Sequence, residues 1–198
     1  WVLRSQILSR DEYKNLSALD LNELMLKKVS NVLEGLIEQL SPNAPAVLAA
    51  HGTVQGAVFG SERNVMLGAD LVLPPGIVAH PAFAYAALGH IHKHQVLSED
   101  PPVVYAGSLD RIDFGEERDA KGFVMVELHE RKAAWRFVPV SARPFVTIRV
   151  EASSDDPTAD GWFAIAREPI QDAIVRVFIR TTMERAGLLR DGDIRQAL

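Results

Sequence analysis

Three of the six histidines stand where an imidazole can do chemistry. Gly89-His90-Ile91-His92 follows the apolar run Tyr85-Ala86-Ala87-Leu88. In extended backbone, residues two apart point to the same side, so His90 and His92 would present two imidazoles to one locus. Gly89 omits a side chain where a cation or a phosphate must come close. Imidazole is a good ligand for manganese, iron and zinc. An isolated His-x-His pair is served as readily by one ring capping a loop and the other in solvent. His51 shifts that balance, because it follows a second apolar run, Ala46 to Ala50, in the same manner. The chain contains no cysteine, so a metal would have to use His, Asp, Glu or Asn. His51, His90 and His92 are the candidate metal ligands.

Other positions carry weaker signals. Gly89, His94, Gly107 and Ser108 are candidates to lie near a substrate. Gly107-Ser108 follows Val103-Val104-Tyr105 and would bring backbone N–H groups near a phosphate, or form a plain turn. His94 follows Lys93 and reads as a surface or substrate-facing residue. His80 precedes Pro81, which marks a turn, and His129 stands beside Glu130 at a strand end. The mixed-charge run Asp110 to Asp119 reads as a solvated loop without ligand spacing. No residue stands out as a catalytic acid, base or nucleophile.

These residues need elements to position them. Ala46–Ala50, Tyr85–Leu88 and Val103–Tyr105 are too short for helices and suit buried strands. Each delivers polar or glycine residues at its C-terminal end, the edge at which layered α/β folds bind ligands. Leu21 to Leu40 has the i, i+3, i+4 apolar rhythm of a helix with one buried face, with Asp20 and Glu23 resembling a capping box. Phe123–Leu128 and Ala134–Val138 alternate in polarity around Glu130-Arg131-Lys132 and predict a hairpin. After Pro139 the pattern changes to strand (Phe145–Val150), helix (Pro157–Arg167), strand (Ala173–Arg180) and the start of a helix (Asp191–Leu198). The expected fold class is α/β, with one domain over residues 1–140 and a small α+β domain over 141–198.

Composition sets wider bounds. Of 198 residues, 47% are hydrophobic and 24% charged, which fits a globular chain with a core and argues against disorder. The net charge of −5 gives no direct nucleic-acid signature, yet does not exclude DNA, because metal ions and a local patch can supply positive field. No apolar run approaches the ~20 residues that span a bilayer, and Trp1-Val2-Leu3-Arg4-Ser5 lacks the pattern of a signal peptide. A cytoplasmic location without membrane association is expected. The start at Trp1 reads as cut from a longer protein.

Five segments together resemble a family. Ala50-His51-Gly52-Thr53-Val54, Gly60-Ser61-Glu62-Arg63, Ala87-Leu88-Gly89-His90-Ile91-His92-Lys93, Tyr105-Ala106-Gly107-Ser108 and Asp113-Phe114-Gly115-Glu116-Glu117 occur in this order and with similar gaps in the bacterial SbcD family. That family is the prokaryotic form of the meiotic-recombination-eleven nuclease, within the calcineurin-like metallophosphoesterases. The resemblance runs from Leu8 to Leu198. It implies part of a metallophosphoesterase β-sandwich with flanking helices, then a capping domain. It further implies a two-metal, manganese-dependent phosphodiesterase that trims DNA ends 3′ to 5′ and nicks single strands in double-strand-break repair. By motif match, His51 and His90 look like ligands of one metal and His92 like a ligand of the other. The family's Asp-x-His, Gly-Asp and Gly-Asn-His-Asp blocks do not occur here, so the resemblance implies about half a site and an inactive fragment. Its partners would be DNA and, for the full-length parent, an SbcC-type ABC ATPase and a second copy in a homodimer. Two other readings fit the Gly-His-x-His block: a calcineurin-like phosphoesterase acting on small phosphodiesters, and a non-catalytic DNA-end-binding module with structural histidines.

Overall fold

The computed structural model describes residues 15–60 and 71–198. The Ser61-Glu62-Arg63 part of the second family-like block lies outside the described residues. The fold is mixed α/β. It divides into two compact units, Trp1–Leu109 with Asp119–Val140, and Asp110–Arg118 with Ser141–Leu198. No helix among the described residues is long and apolar enough to cross a membrane.

Among the described residues, the first element of this unit is helix α1, Ala18–Ile37. It starts one turn earlier than its apolar rhythm announces. Ser17 is the N-cap: its hydroxyl accepts from the Asp20 N–H at 3.2 Å, and the Asp20 carboxylate accepts from the Ser17 N–H at 3.3 Å. The capping box is thus Ser17 with Asp20, correcting the expected Asp20 with Glu23. A hydroxyl and a carboxylate satisfy two of the N–H groups that a helix start leaves unpaired. Leu21 and Met25 are the buried contacts of α1.

A four-stranded sheet follows, built from β1 (Val47–His51), β4 (Tyr85–Gly89), β5 (Gln95–Glu99) and β6 (Pro102–Tyr105) in the order β1-β4-β6-β5. β2 (Thr53–Val54) and β3 (Val72–Leu73) form a short parallel pair, and α2 (Pro75–Val78) leads back to the sheet. β1, β4 and β6 are parallel, while β5 returns antiparallel to β6. Ala50 pairs with Leu88 and Leu88 with Tyr105, so the three parallel strands end level with one another. Apolar residues dominate all three; β4 and β6 are largely buried, as expected of covered parallel strands, while β1 is exposed at alternate residues. Val54, Val78, Ala86, Leu88, Ile91, Val103 and Tyr105 form the core cluster. β7 (Gly122–His129) and β8 (Lys132–Pro139) form the hairpin, paired along its full length.

Tyr105 ties the sheet to the loop after β1. It is fully buried, yet its hydroxyl donates to the Gly52 carbonyl at 2.6 Å and accepts from the Val54 N–H at 3.0 Å. Removing a hydroxyl that serves two buried backbone groups leaves both unsatisfied. We expect Tyr105→Phe to destabilise the chain by about 1–3 kcal/mol in denaturant unfolding. An unchanged midpoint would show that the loop after β1 is held by other contacts.

The second unit is a β-α-β arrangement. β9 (Phe145–Glu151) and β10 (Ile174–Arg180) are parallel and in register, with α3 (Pro157–Ile165) between them in sequence. Asp156 caps α3 by accepting from the N–H groups of Thr158 and Ala159 at 3.0 and 3.2 Å, and Pro157 occupies the first turn, where no N–H is needed. Short helices α4 (Met183–Ala186) and α5 (Asp191–Gln196) complete it. Ile148, Val150, Ala152, Ile165 and Ile194 form its core.

Asp110–Arg118 belongs to this unit and is not the solvated loop its charges suggest. Asp113 caps a short 3-10 turn, Phe114–Glu116, by accepting from the Gly115 N–H at 2.7 Å. Phe114 meets Phe145 edge-on at 4.9 Å and lies under the Arg176 guanidinium at 4.3 Å. The Glu117 carboxylate accepts from the Thr147 hydroxyl at 2.6 Å and its N–H at 3.0 Å. The Thr147 hydroxyl bond, more than the nearby Arg176 charge, holds the Glu117 pKa below the ordinary value. A carboxylate with a lowered folded pKa stabilises the fold above the ordinary carboxylate range, and that contribution fades as pH falls through the folded value. Thr147→Val should therefore move the Glu117 pKa up toward its ordinary value in a carboxyl-carbon NMR titration. An unmoved titration would mean that the Thr147 bonds do not set the charge state.

Candidate metal centre

The level ends of β1 and β4 place His51 opposite Gly89. The Gly52 N–H donates to the Gly89 carbonyl at 3.3 Å, extending the pairing past the strand ends. Across this junction the rings of His51 and His90 meet edge-to-face, with centroids 5.2 Å apart. Gly89 permits the approach. A Cβ added there would stand 3.0 Å from His51 Nδ1, so any larger residue would push the ring aside.

The backbone is bent to achieve this. His90 has φ of 100°, in a region that side-chain-bearing residues avoid and that costs about 1–3 kcal/mol. Such strain concentrates at functional sites. His90 Nε2 is shielded from solvent. His51 is exposed at its strand end, but partial burial of its ring lowers its pKa, helped by the charges of His90 and, more weakly, His92. His51 is therefore neutral at pH 7, the form that ligates metals.

The donor set fits part of a cation's coordination. With imidazole nitrogens bound at ~2.1 Å and a near-tetrahedral angle between them, ring centroids fall about 5 Å apart. The His51–His90 pair has that spacing. His92 stands two residues further along the same loop. Among the described residues, no cluster of three or more His, Asp or Glu side chains that could hold a metal ion is formed.

The remaining candidates divide. Gly107 has φ of 82°, and a Cβ on it would sit 2.8 Å from the His94 nitrogen and 2.9 Å from the His92 carbonyl oxygen. Only glycine suits that conformation and that space. Ser108 donates its N–H to the His92 carbonyl at 3.1 Å, so the Gly107-Ser108 turn is fastened to the His92 loop. The His94 ring is committed to packing: it stacks on Phe137 at 4.2 Å and its Nδ1 donates to the Tyr105 carbonyl at 2.8 Å. His80 Nδ1 accepts from the Ala82 N–H at 3.2 Å within its turn. His129 lies 3.9 Å from the exposed Glu127 carboxylate.

Sequence reasoning passes over Lys121. It is only 2% exposed, and its ammonium donates to the Ser108 hydroxyl at 2.8 Å and the His92 carbonyl at 3.3 Å. A single lysine ahead of a strand carries no spacing that announces burial. The hydroxyl of Tyr105 is equally invisible within an apolar run.

No family model matches the chain. Over 130 residues it is 31% identical to the SbcD component of the nuclease SbcCD of Rhodobacter capsulatus, covering 65% of this chain and 31% of that relative. The chain therefore spans less than a third of the length of that curated relative.

Gly107→Ala should be the most disruptive single-methyl change at this site. Strain at positive φ and two backbone clashes together should cost about 1–3 kcal/mol or more, read as a lowered unfolding midpoint. A midpoint equal to wild type would mean that the turn can adopt another conformation at no cost.

Proposed function

We propose that this chain is part of a metal-dependent DNA nuclease of the SbcD type, acting by phosphodiester hydrolysis in double-strand-break repair. The observation that carries the reading is the junction of level strand ends where His51 and His90 meet beside Gly89. The 31% identity to a component of a nuclease supports the same class.

In this reading His51 and His90 hold one divalent cation, His92 helps to hold a second, and the remaining ligands come from a part of the protein beyond this chain. Manganese is the proposed metal, since imidazole and carboxylate donors both suit it. Paired cations, when bound, neutralise the scissile phosphate, activate water and stabilise the leaving oxygen. The chain's own residues make this possible in three ways. His51 stays neutral at working pH. Gly89 keeps the approach to the imidazoles open. Gly107 and Ser108 fix the loop that carries His92, near where substrate would lie.

We further propose that residues 1–140 form part of a calcineurin-like nuclease domain and that residues 141–198 form a cap that holds DNA. The longer protein would act in the cytoplasm as a homodimer with an SbcC-type ATPase, cutting 3′ to 5′ from DNA ends and nicking single strands.

Neutral imidazoles alone leave the repulsion between two cations uncompensated, so the chain by itself should bind metal weakly and should not cleave DNA. The test is manganese-dependent cleavage of linear duplex DNA by this chain, by a longer protein containing it, and by that protein carrying His92→Ala. The longer protein should cleave. His92→Ala should lower its rate at least ~100-fold, beyond the ~10–100-fold typical of losing an outer-shell partner, with little change in unfolding midpoint. Robust cleavage by the chain alone, or an undiminished rate in the variant, would contradict the two-metal assignment. Faster turnover of a chromogenic diester than of plasmid DNA would point to a small-substrate phosphoesterase instead.

A further inference from the structure

We propose that Lys121 is a positioning residue whose buried ammonium sets the direction of the His92 imidazole. The inference deepens the metal-centre reading and rests on it for its functional meaning.

A lysine ammonium is rarely buried, because removing it from water is costly unless its donors are engaged. Lys121 is 2% exposed, so its position demands an account. Its ammonium donates to two groups on different loops, the Ser108 hydroxyl at 2.8 Å and the His92 carbonyl at 3.3 Å. The same carbonyl accepts the Ser108 N–H at 3.1 Å. The backbone closes the arrangement from the other side: the Gly122 N–H donates to the Ser108 carbonyl at 3.3 Å, and the Lys121 carbonyl accepts from the Val140 N–H at 2.9 Å. Lys121 is thereby anchored to the hairpin by its main chain while its side chain joins the His92 loop to the Ser108 turn.

The geometry matters for His92 in particular. The His51 ring is placed by β1 and its pairing with β4, and His90 follows directly on β4. His92 has no strand of its own and stands three residues beyond the end of β4. Its carbonyl is the acceptor of both the Ser108 N–H and the Lys121 ammonium, which fixes the peptide plane on its C-terminal side. Gly107 lies so close that a Cβ there would stand 2.9 Å from that carbonyl oxygen, so the Ser108 turn and the His92 loop can approach and bond as they do. Charge-assisted hydrogen bonds are about twice as strong as neutral ones, so an ammonium holds such a loop better than a hydroxyl would.

The experiment is NMR of the full 198-residue chain as wild type and as Lys121→Met, which keeps the length and removes the donors. Each is measured without metal and with Mn2+ alone as a paramagnetic probe. In Lys121→Met the Ser108 amide should exchange about tenfold faster or more, the size expected for one lost charge-assisted hydrogen bond. The His92 ring signals should shift, and their Mn2+ broadening should fall several-fold relative to those of His51 and His90. A merely structural role would weaken broadening of the three rings alike. If Mn2+ broadens none of the three in wild type, the metal reading falls, and the Ser108 exchange rate and the His92 ring shift still decide the positioning. If Lys121→Met does not fold, Ser108→Ala removes one acceptor of the ammonium and should give the same His92 shift at smaller size. A folded variant with native Ser108 protection and a native His92 ring shift would overturn the proposal.

Discussion

Everything at the candidate centre depends on the level ending of three parallel strands. Parallel strands cannot be joined by tight turns, so each must be brought back by a crossover. Their relative register is then set by the sheet, not by a hairpin. Here Ala50, Leu88 and Tyr105 stand side by side across β1, β4 and β6. One residue further on are His51 and Gly89, and just past them lie His90 and the Gly107 turn. A slip of one residue in β1 would send His51 to the opposite face of the sheet and separate it from His90.

Holding loops at that edge is costly to the backbone, and the structure compensates with polar contacts from beneath. His90 takes a positive φ that side-chain-bearing residues avoid, while Gly107 takes one that glycine adopts freely. Tyr105 reaches up from the core to the Gly52 carbonyl and the Val54 N–H, and Lys121 does the same for His92 and Ser108. Both side chains are almost wholly buried, so their bonds are shielded from competing water. A strained edge braced by buried donors keeps His51 and His90 together. That is the preorganisation a ligand set requires, since imidazoles that wander must be ordered anew at each binding event.

The strands of the first unit are legible in the sequence because they are short apolar runs: Tyr85–Leu88 and Val103–Tyr105 are largely buried, and Val47–Ala50, exposed on alternate residues, is as apolar. β9, α3 and β10 are equally plain. β5 is not, since Gln95–Glu99 is a partly exposed edge strand whose pairing comes from hydrogen bonds to β6 rather than from a pattern. The start of α1 escapes the pattern because its first turn is exposed; Leu19 is 70% exposed, so the apolar rhythm begins only at Leu21. The place of Asp110–Arg118 is hidden because a run of charges suggests solvation. Glu116 is fully buried and Glu117 is bonded to Thr147, contacts that no local pattern encodes. At the candidate centre the histidines can be named from strand ends and glycines. The groups that hold them in place, a lysine thirteen residues beyond Ser108 and a tyrosine hydroxyl inside an apolar run, emerge only from the fold.

The central claim is that the ends of β1 and β4 bring two imidazoles together as ligands of a divalent cation. Electron spin-echo spectroscopy of Mn2+ added to the chain, with histidine nitrogens isotopically labelled, reads imidazole coordination directly through nitrogen hyperfine coupling. The account predicts coupling from histidine nitrogen that falls sharply in the double variant His51→Ala with His90→Ala while the fold persists. A spectrum showing water protons alone, or nitrogen coupling undiminished by removal of both rings, would contradict it.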